Sequence, residues 1–99
     1  MTDKDTILTF LTEHKAKLFN DYQLVKLGLF GTFAQNEETA DSSIELIVDF
    51  LPNTESLYDK KTALSALLQT QFGREVLICR EKYLKPYFHR YVLQSAIYV

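Results

Sequence analysis

The chain has 99 residues, of which 46% are hydrophobic, 13% aromatic and 24% charged, and its formal net charge is −2. This length and apolar content predict one small domain over residues 1–99 and exclude a disordered chain. The slight negative charge argues against non-specific nucleic-acid binding, which needs a basic face to displace counterions. A local basic groove remains compatible with it.

Other features of the composition indicate a cytoplasmic protein. No apolar run approaches the roughly 18 residues of a membrane span. The first five residues are polar and acidic, unlike a signal peptide. The single cysteine, Cys79, cannot form an internal disulfide and fits a reducing compartment.

The first half of the chain predicts a helix, a strand and a short helix. Apolar residues at helical spacing indicate one amphipathic helix over about 6–20, with His14 on its apolar face. Alternation over 22–30 indicates a strand whose buried face carries Val25 with two leucines. A helical turn over 32–35 should follow, closed by Asn36 in the left-handed conformation.

The second half predicts two strands and two helices. Residues 44–50 are mostly apolar and indicate a strand buried on much of both faces. Residues 57–72 indicate a helix that ends at Gly73, residues 76–79 a short strand, and the chain should be helical from about Pro86. This order predicts an α/β (α+β) fold, a small mixed sheet covered by helices.

Two segments carry a resemblance to a known family. Residues 27–50, LGLFGTFAQNEETADSSIELIVDF, resemble the start of the minimal nucleotidyltransferase domain, a branch of the DNA polymerase beta-like superfamily. The family pattern is a strand, Gly-Ser, about ten residues, then Asp-x-Asp on the next strand. Here Gly31-Thr32, ten residues and Ser43-Ile44-Glu45 take those places. Residues 73–99 resemble the family's ending, and Leu77 stands where the family has a third Asp.

The resemblance implies a nucleotide site that has lost most of its chemistry. Gly31 and Thr32 would bind the phosphates of ATP, since tight glycine turns and helix N-termini attract anions. The three carboxylates of the family would hold two Mg²⁺ ions that align the triphosphate. In this chain Ser43 is a neutral, weak ligand, Glu45 is one methylene longer than Asp, and Leu77 cannot bind a metal.

Glu45 is therefore the one remaining candidate for a metal ligand and a weak catalytic residue at these positions. Removal of one electrostatic donor from an active site costs about 10²–10³ in rate, so two lost ligands predict an inactive or impaired enzyme. Mg²⁺ and ATP are expected as cofactors only if the protein is active. A simpler interpretation makes Gly31 a strand-ending turn and Glu45 a solvated acid.

Other polar residues offer little to replace the lost ligands. Asp41 could approach from its loop, whereas Asp49 lies roughly 13 Å along the strand from Glu45. His14, His89 and Cys79 do not have metal-ligand spacing.

Three functions remain open. The family resemblance implies a helical HEPN-type partner in a toxin–antitoxin-like pair, and a member without its carboxylates could act by docking alone. The alternatives are an active nucleotidyltransferase with a non-standard metal site, which would transfer a nucleoside monophosphate from ATP to a protein or small molecule, and a nucleotide-sensing module without catalysis.

Surplus aromatic side chains near the C-terminus favour a partner interface or a homodimer. They are Tyr83, Tyr87, Phe88, Tyr91 and Tyr98.

Overall fold

The computed structural model describes residues 2–99 and contains a four-stranded mixed sheet with helices on both faces. The predicted fold class is confirmed. The elements in chain order are α1 (Lys4–Glu13), α2 (Lys15–Tyr22), β1 (Leu24–Phe30), α3 (Gly31–Ala34), β2 (Ile44–Phe50), α4 (Leu57–Phe72), β3 (Val76–Arg80), a 3-10 turn (Glu81–Tyr83), α5 (Pro86–Ser95) and β4 (Ile97–Tyr98).

The strands lie in the order β3-β2-β1-β4. β1 is antiparallel to both β2 and β4, whereas β2 and β3 are parallel. The parallel pair follows from the connection, because α4 carries the chain back before β3 begins. This register makes Glu45 of β2 and Leu77 of β3 direct neighbours.

The sheet separates two apolar clusters. The larger one packs α1 and α4 against one face through fully buried residues such as Ile7, Leu46 and Leu64. The smaller one covers the opposite face beneath α5 and consists of Phe30, Ile47 and Val92. Because successive strand residues point to opposite faces, β2 contributes to both clusters.

The predicted single N-terminal helix is wrong, since two helices meet at His14. His14 has φ −104° and ψ 10°, and its ring stacks on Phe10 at a centroid distance of 4.1 Å. The side chain is exposed and does not lie on the apolar face. Asp3 caps α1 by accepting a 2.8 Å hydrogen bond from the Thr6 N–H, and this bond lowers the pKa of Asp3.

The prediction for Val25, which simple alternation placed on the same strand face as two leucines, is also wrong. The register with β2 shifts between Leu24 and Lys26, so an extra residue is inserted into β1. Such a bulge turns the inserted side chain out of the alternating pattern. Val25 is consequently 49% exposed, and Leu24 occupies the core in its place.

The final strand was not predicted. The predicted helix begins at Pro86 but ends at Ser95, and β4 then pairs with Gly28 and Leu29 of β1. A Cβ at Gly28 would lie only 2.9 Å from Tyr98 Cδ1, so the glycine allows β4 to approach.

Glu81 joins the 3-10 turn to three other elements. Its carboxylate accepts hydrogen bonds from Lys26 Nζ at 2.6 Å and Tyr98 OH at 3.0 Å, and it lies 3.6 Å from His89 Nε2. The Lys26 ammonium is the main cause of the lowered pKa of Glu81. Burial and the bond to Glu81 raise the pKa of Tyr98 to about 12.

We expect Glu81→Gln to destabilise the fold by about 1 kcal/mol at neutral pH, since it removes a charge-assisted hydrogen bond whose Lys26 partner is partly exposed. A lowered folded-state pKa stabilises the protein above the ordinary value of 4.5, and this stabilisation is lost as the pH falls. Urea unfolding of both proteins should therefore show a difference that shrinks below that pH. Glu55→Gln, at an exposed position, is the control; a pH-independent difference would contradict the assignment.

Candidate functional site

Gly31 forms a sharp turn between β1 and α3. Its φ of +77° lies in the region that glycine adopts readily and other residues adopt at a cost. A Cβ at this position would lie 1.8 Å from Glu45 Oε2, far inside any allowed contact. The turn therefore requires glycine for two independent reasons, the backbone conformation and the neighbouring carboxylate.

Glu45 projects from β2 onto this turn. It pairs with Phe30 of β1 on one side and with Leu77 of β3 on the other. Burial raises the pKa of Glu45, and the nearby Thr32 N–H partly offsets this rise. The chain thus places its own carboxylate beside the Gly31-Thr32 backbone, where the family resemblance implies a phosphate of the nucleotide.

Ser43 precedes β2 and is directed at the start of β3. Its Oγ donates a hydrogen bond to the Glu75 carboxylate, and the Ile44 N–H donates to the Glu75 carbonyl oxygen at 2.8 Å. The hydroxyl oxygen of Ser43 could still act as a weak ligand, but its hydrogen bond fixes the side chain to Glu75, which the sequence analysis did not identify. Glu75 had no motif to mark it.

Leu77 lies beside Glu45 in the parallel ladder and is 45% exposed. Paired residues of neighbouring strands share a face of the sheet, so these two positions are brought together as the spacing implied. The pair joins one carboxylate to one hydrocarbon side chain. An exposed leucine here contributes neither a metal ligand nor a proton acceptor.

This set of side chains does not fit a pair of Mg²⁺ ions. Magnesium requires near-octahedral oxygen ligands, commonly carboxylates. Within residues 2–99, no group of three or more His, Cys, Asp or Glu side chains is arranged to hold a metal ion. Asp41 is exposed on its loop, and Asp49 lies 3.8 Å from Arg80 Nη2 at the far end of β2.

Arg74 fixes the loop that leads into this region, a role that the sequence did not reveal. Its Nη1 donates to the carbonyl oxygens of Thr39, Ala40 and Ser42 at 3.1, 3.0 and 2.7 Å. Its guanidinium carbon lies 5.1 Å from the centroid of the Phe33 ring. Carbonyl acceptors belong to every residue, so side-chain identities alone could not predict this contact.

Comparison with known proteins places this geometry in a family. No protein-family model matches the chain. A relative from Methanocaldococcus jannaschii, provisionally named a protein adenylyltransferase, is 30% identical over 94 residues, which span 94% of each chain. The chain belongs to the minimal nucleotidyltransferase family. The protein adenylyltransferase MntA of Thermococcus cleftensis is 29% identical over 101 residues, covering 100% of this chain and 98% of MntA.

Solved structures of this family and fold agree with that assignment. One provisionally described as a minimal nucleotidyltransferase matches with a TM-score of 0.80 and 27% identity over 97% of this chain and 95% of that one. A toxin–antitoxin structure with AMP-PNP matches with a TM-score of 0.65 over 87% and 69% of the two chains. Its identity is 20%, so this second likeness is one of fold.

We expect Gly31→Ala to cost more stability than Gly73→Ala. Both glycines have positive φ, for which a side chain costs roughly 1–2 kcal/mol, but a Cβ at Gly73 would meet nothing within 4 Å. The excess cost should shrink in a Glu45→Ala background, because the opposing carboxylate is gone. Urea unfolding of the double-mutant cycle measures this coupling. Equal costs at the two glycines, or an excess that survives Glu45→Ala, would refute the Glu45–Gly31 contact.

Proposed function

We propose that this family member has lost nucleotidyl transfer or retains it only weakly, and that it acts by binding, as an antitoxin-like partner of a HEPN-type protein. One observation carries the proposal: the three positions expected to hold metal ligands do not assemble a metal site. Ser43 is bonded to Glu75, the Glu45 carboxylate lies against Gly31, and Leu77 is a hydrocarbon.

The position of Glu45 also opposes the binding of a triphosphate. A phosphate at the Gly31-Thr32 turn would have to displace the Glu45 carboxylate that lies against Gly31. Like charges at close distance repel strongly where water is partly excluded. Two Mg²⁺ ions would relieve that repulsion in an active enzyme, but these residues do not supply their ligands.

Similar proteins support the toxin–antitoxin part of the proposal. MntA is named a protein adenylyltransferase, and structures of a toxin–antitoxin pair MntA–HpeT share this fold. Both support a partner protein for this chain, which we take to be of the HEPN type. The exposed aromatic face of α5 suits such an interface, with Tyr87 71% and Tyr91 44% exposed. The alternative partner for the same face of α5 is a second copy of this chain, which would form a homodimer.

A second candidate function is transfer of a nucleoside monophosphate from ATP by a non-standard metal site. The names of the relatives favour it, and Glu45 retains a carboxylate at one of the expected positions. Transfer would require Glu45 to turn away from Thr32 and a further ligand, such as Asp41, to approach the site. Nucleotide sensing without catalysis would require only that Glu45 turn away.

Calorimetric titration with ATP tests these alternatives. We expect the binding heat up to millimolar ATP to be no greater with Mg²⁺ or Mn²⁺ than with EDTA, because the metal ligands are missing and the turn is occupied. The variant Ser43→Asp/Glu45→Asp/Leu77→Asp should gain metal-dependent binding. Metal-dependent turnover by the natural sequence, abolished by Glu45→Gln, would overturn the proposal.

Binding to a partner is tested separately. A HEPN-type protein from the same genome, co-expressed with this chain, should co-purify with it and lose its toxicity. Mass spectrometry should show no added nucleotide on the partner. The Leu77→Asp variant should capture the partner equally well, because capture does not depend on a metal site. A nucleotide-modified partner, or neutralisation lost in Glu45→Gln, would point to the active enzyme.

A further inference from the structure

A second cleft lies at the opposite end of β3 from Leu77. Its volume is about 410 Å³, and it is bounded by the start of α4, the end of β3 and the residues that follow. The cleft is lined by two cationic side chains, Lys61 and Arg80, and two aromatic side chains, Tyr58 and Tyr83. Two leucines and the Cys79 thiol complete the lining, and none of the lining residues among residues 2–99 is acidic. In a protein of net charge −2, this is a local concentration of positive charge.

Arg80 is held in a fixed orientation. Its side chain is 16% exposed, and its guanidinium carbon lies 4.7 Å from the ring centroid of Tyr83 and 5.6 Å from that of Phe50. Its acidic neighbour Asp49 lies 3.8 Å from Nη2, longer than a hydrogen bond, and Nε is buried without an acceptor. The guanidinium is therefore preorganised while its charge is only weakly compensated.

Lys61 supplies the second cation. It is partly buried, and within residues 2–99 its ammonium makes no ion pair or hydrogen bond. Together with Tyr58 it also lines a neighbouring cleft along the outer edge of β3, so both side chains stand where the two clefts meet. Tyr58 is 77% exposed, which leaves its ring available for stacking, whereas the Tyr83 ring already has the Arg80 guanidinium 4.7 Å from its centroid.

From these features we infer that the cleft binds a nucleoside monophosphate without a metal ion. Lys61 and Arg80 bind the phosphate, and the exposed ring of Tyr58 stacks on the base. Two cations can compensate a phosphate directly, and aromatic rings accept any base because every base has a π face. The inference does not rest on the proposed function, since none of the residues around Gly31 and Glu45 lines this cleft.

The test is an NMR titration of the full chain with 5′-AMP in the presence of EDTA. We expect saturable binding that Lys61→Ala weakens about tenfold, the effect of one hydrogen bond to a charged group. Tyr58→Ala should weaken it about fivefold through lost stacking. Lys60→Ala is the matched control, because it removes the same charge one residue away. Lys60 donates to the Glu55 carbonyl oxygen and does not line the cleft.

Several results would overturn the inference. They are absence of saturable AMP binding, equal weakening by Lys60→Ala and Lys61→Ala, and inorganic phosphate that binds as tightly as AMP. If Lys61→Ala and Tyr58→Ala abolish capture of a protein partner while AMP does not bind, the cleft is a protein interface. Because Lys61 and Tyr58 lie on the surface of α4, neither variant should prevent folding, which circular dichroism can verify.

Discussion

β2 is paired on both sides and packed on both faces, and the other elements are arranged around it. Its antiparallel pairing with β1 and parallel pairing with β3 set the positions of Gly31 and Leu77 relative to Glu45. Leu46 and Val48 belong to one apolar cluster and Ile47 to the other. A slip of one residue in this strand would exchange its two faces. The register that stabilises the fold therefore also determines which side chains meet at the candidate site.

That arrangement explains how a family fold can persist after the chemistry of its site changes. A cluster of carboxylates at adjacent positions repels itself and is held together by the metal it binds. Ser43 and Leu77 remove two of those charges without altering the buried residues of β2 and β3, such as Ile44 and Val76. Ser43 donates a hydrogen bond to Glu75, and the Glu45 carboxylate lies against the Gly31 turn. Active sites commonly sacrifice stability for function, so the proposed loss of transfer would allow this site to relax.

The periodic segments were predictable because their patterns are local. β2 and α4 have the predicted bounds, and Asn36 and Gly73 both adopt positive φ. The errors arose where a non-local contact decides the outcome. The bulge at Val25 depends on the register with β2, and the two-residue β4 forms only because Gly28 leaves room for Tyr98.

The same distinction applies to the candidate site. The family resemblance, not a local pattern, implied that Gly31, Glu45 and Leu77 would be neighbours, and the pairing of β2 with β1 and β3 brings them together. It did not predict that Glu45 would lie on Gly31, since an additional methylene can be directed in several ways. Nor did it indicate Arg74, whose three acceptors are backbone carbonyl groups.

The two ends of β3 differ in their electrostatic character, and this difference connects both proposals. Glu45 and Glu75 lie at its N-terminal end, where no cluster of metal ligands compensates them. Lys61 and Arg80 line the cleft at its C-terminal end, where Asp49 lies 3.8 Å from Arg80 Nη2 and the Glu81 carboxylate is bound by Lys26. On both proposals an anionic ligand is repelled at the first end and attracted at the second, so affinity for a nucleotide would not depend on a metal site. In the proposed arrangement a nucleotide at the second end contacts Lys61 and Arg80 and not the Gly31 turn, so the two proposals together favour binding without transfer.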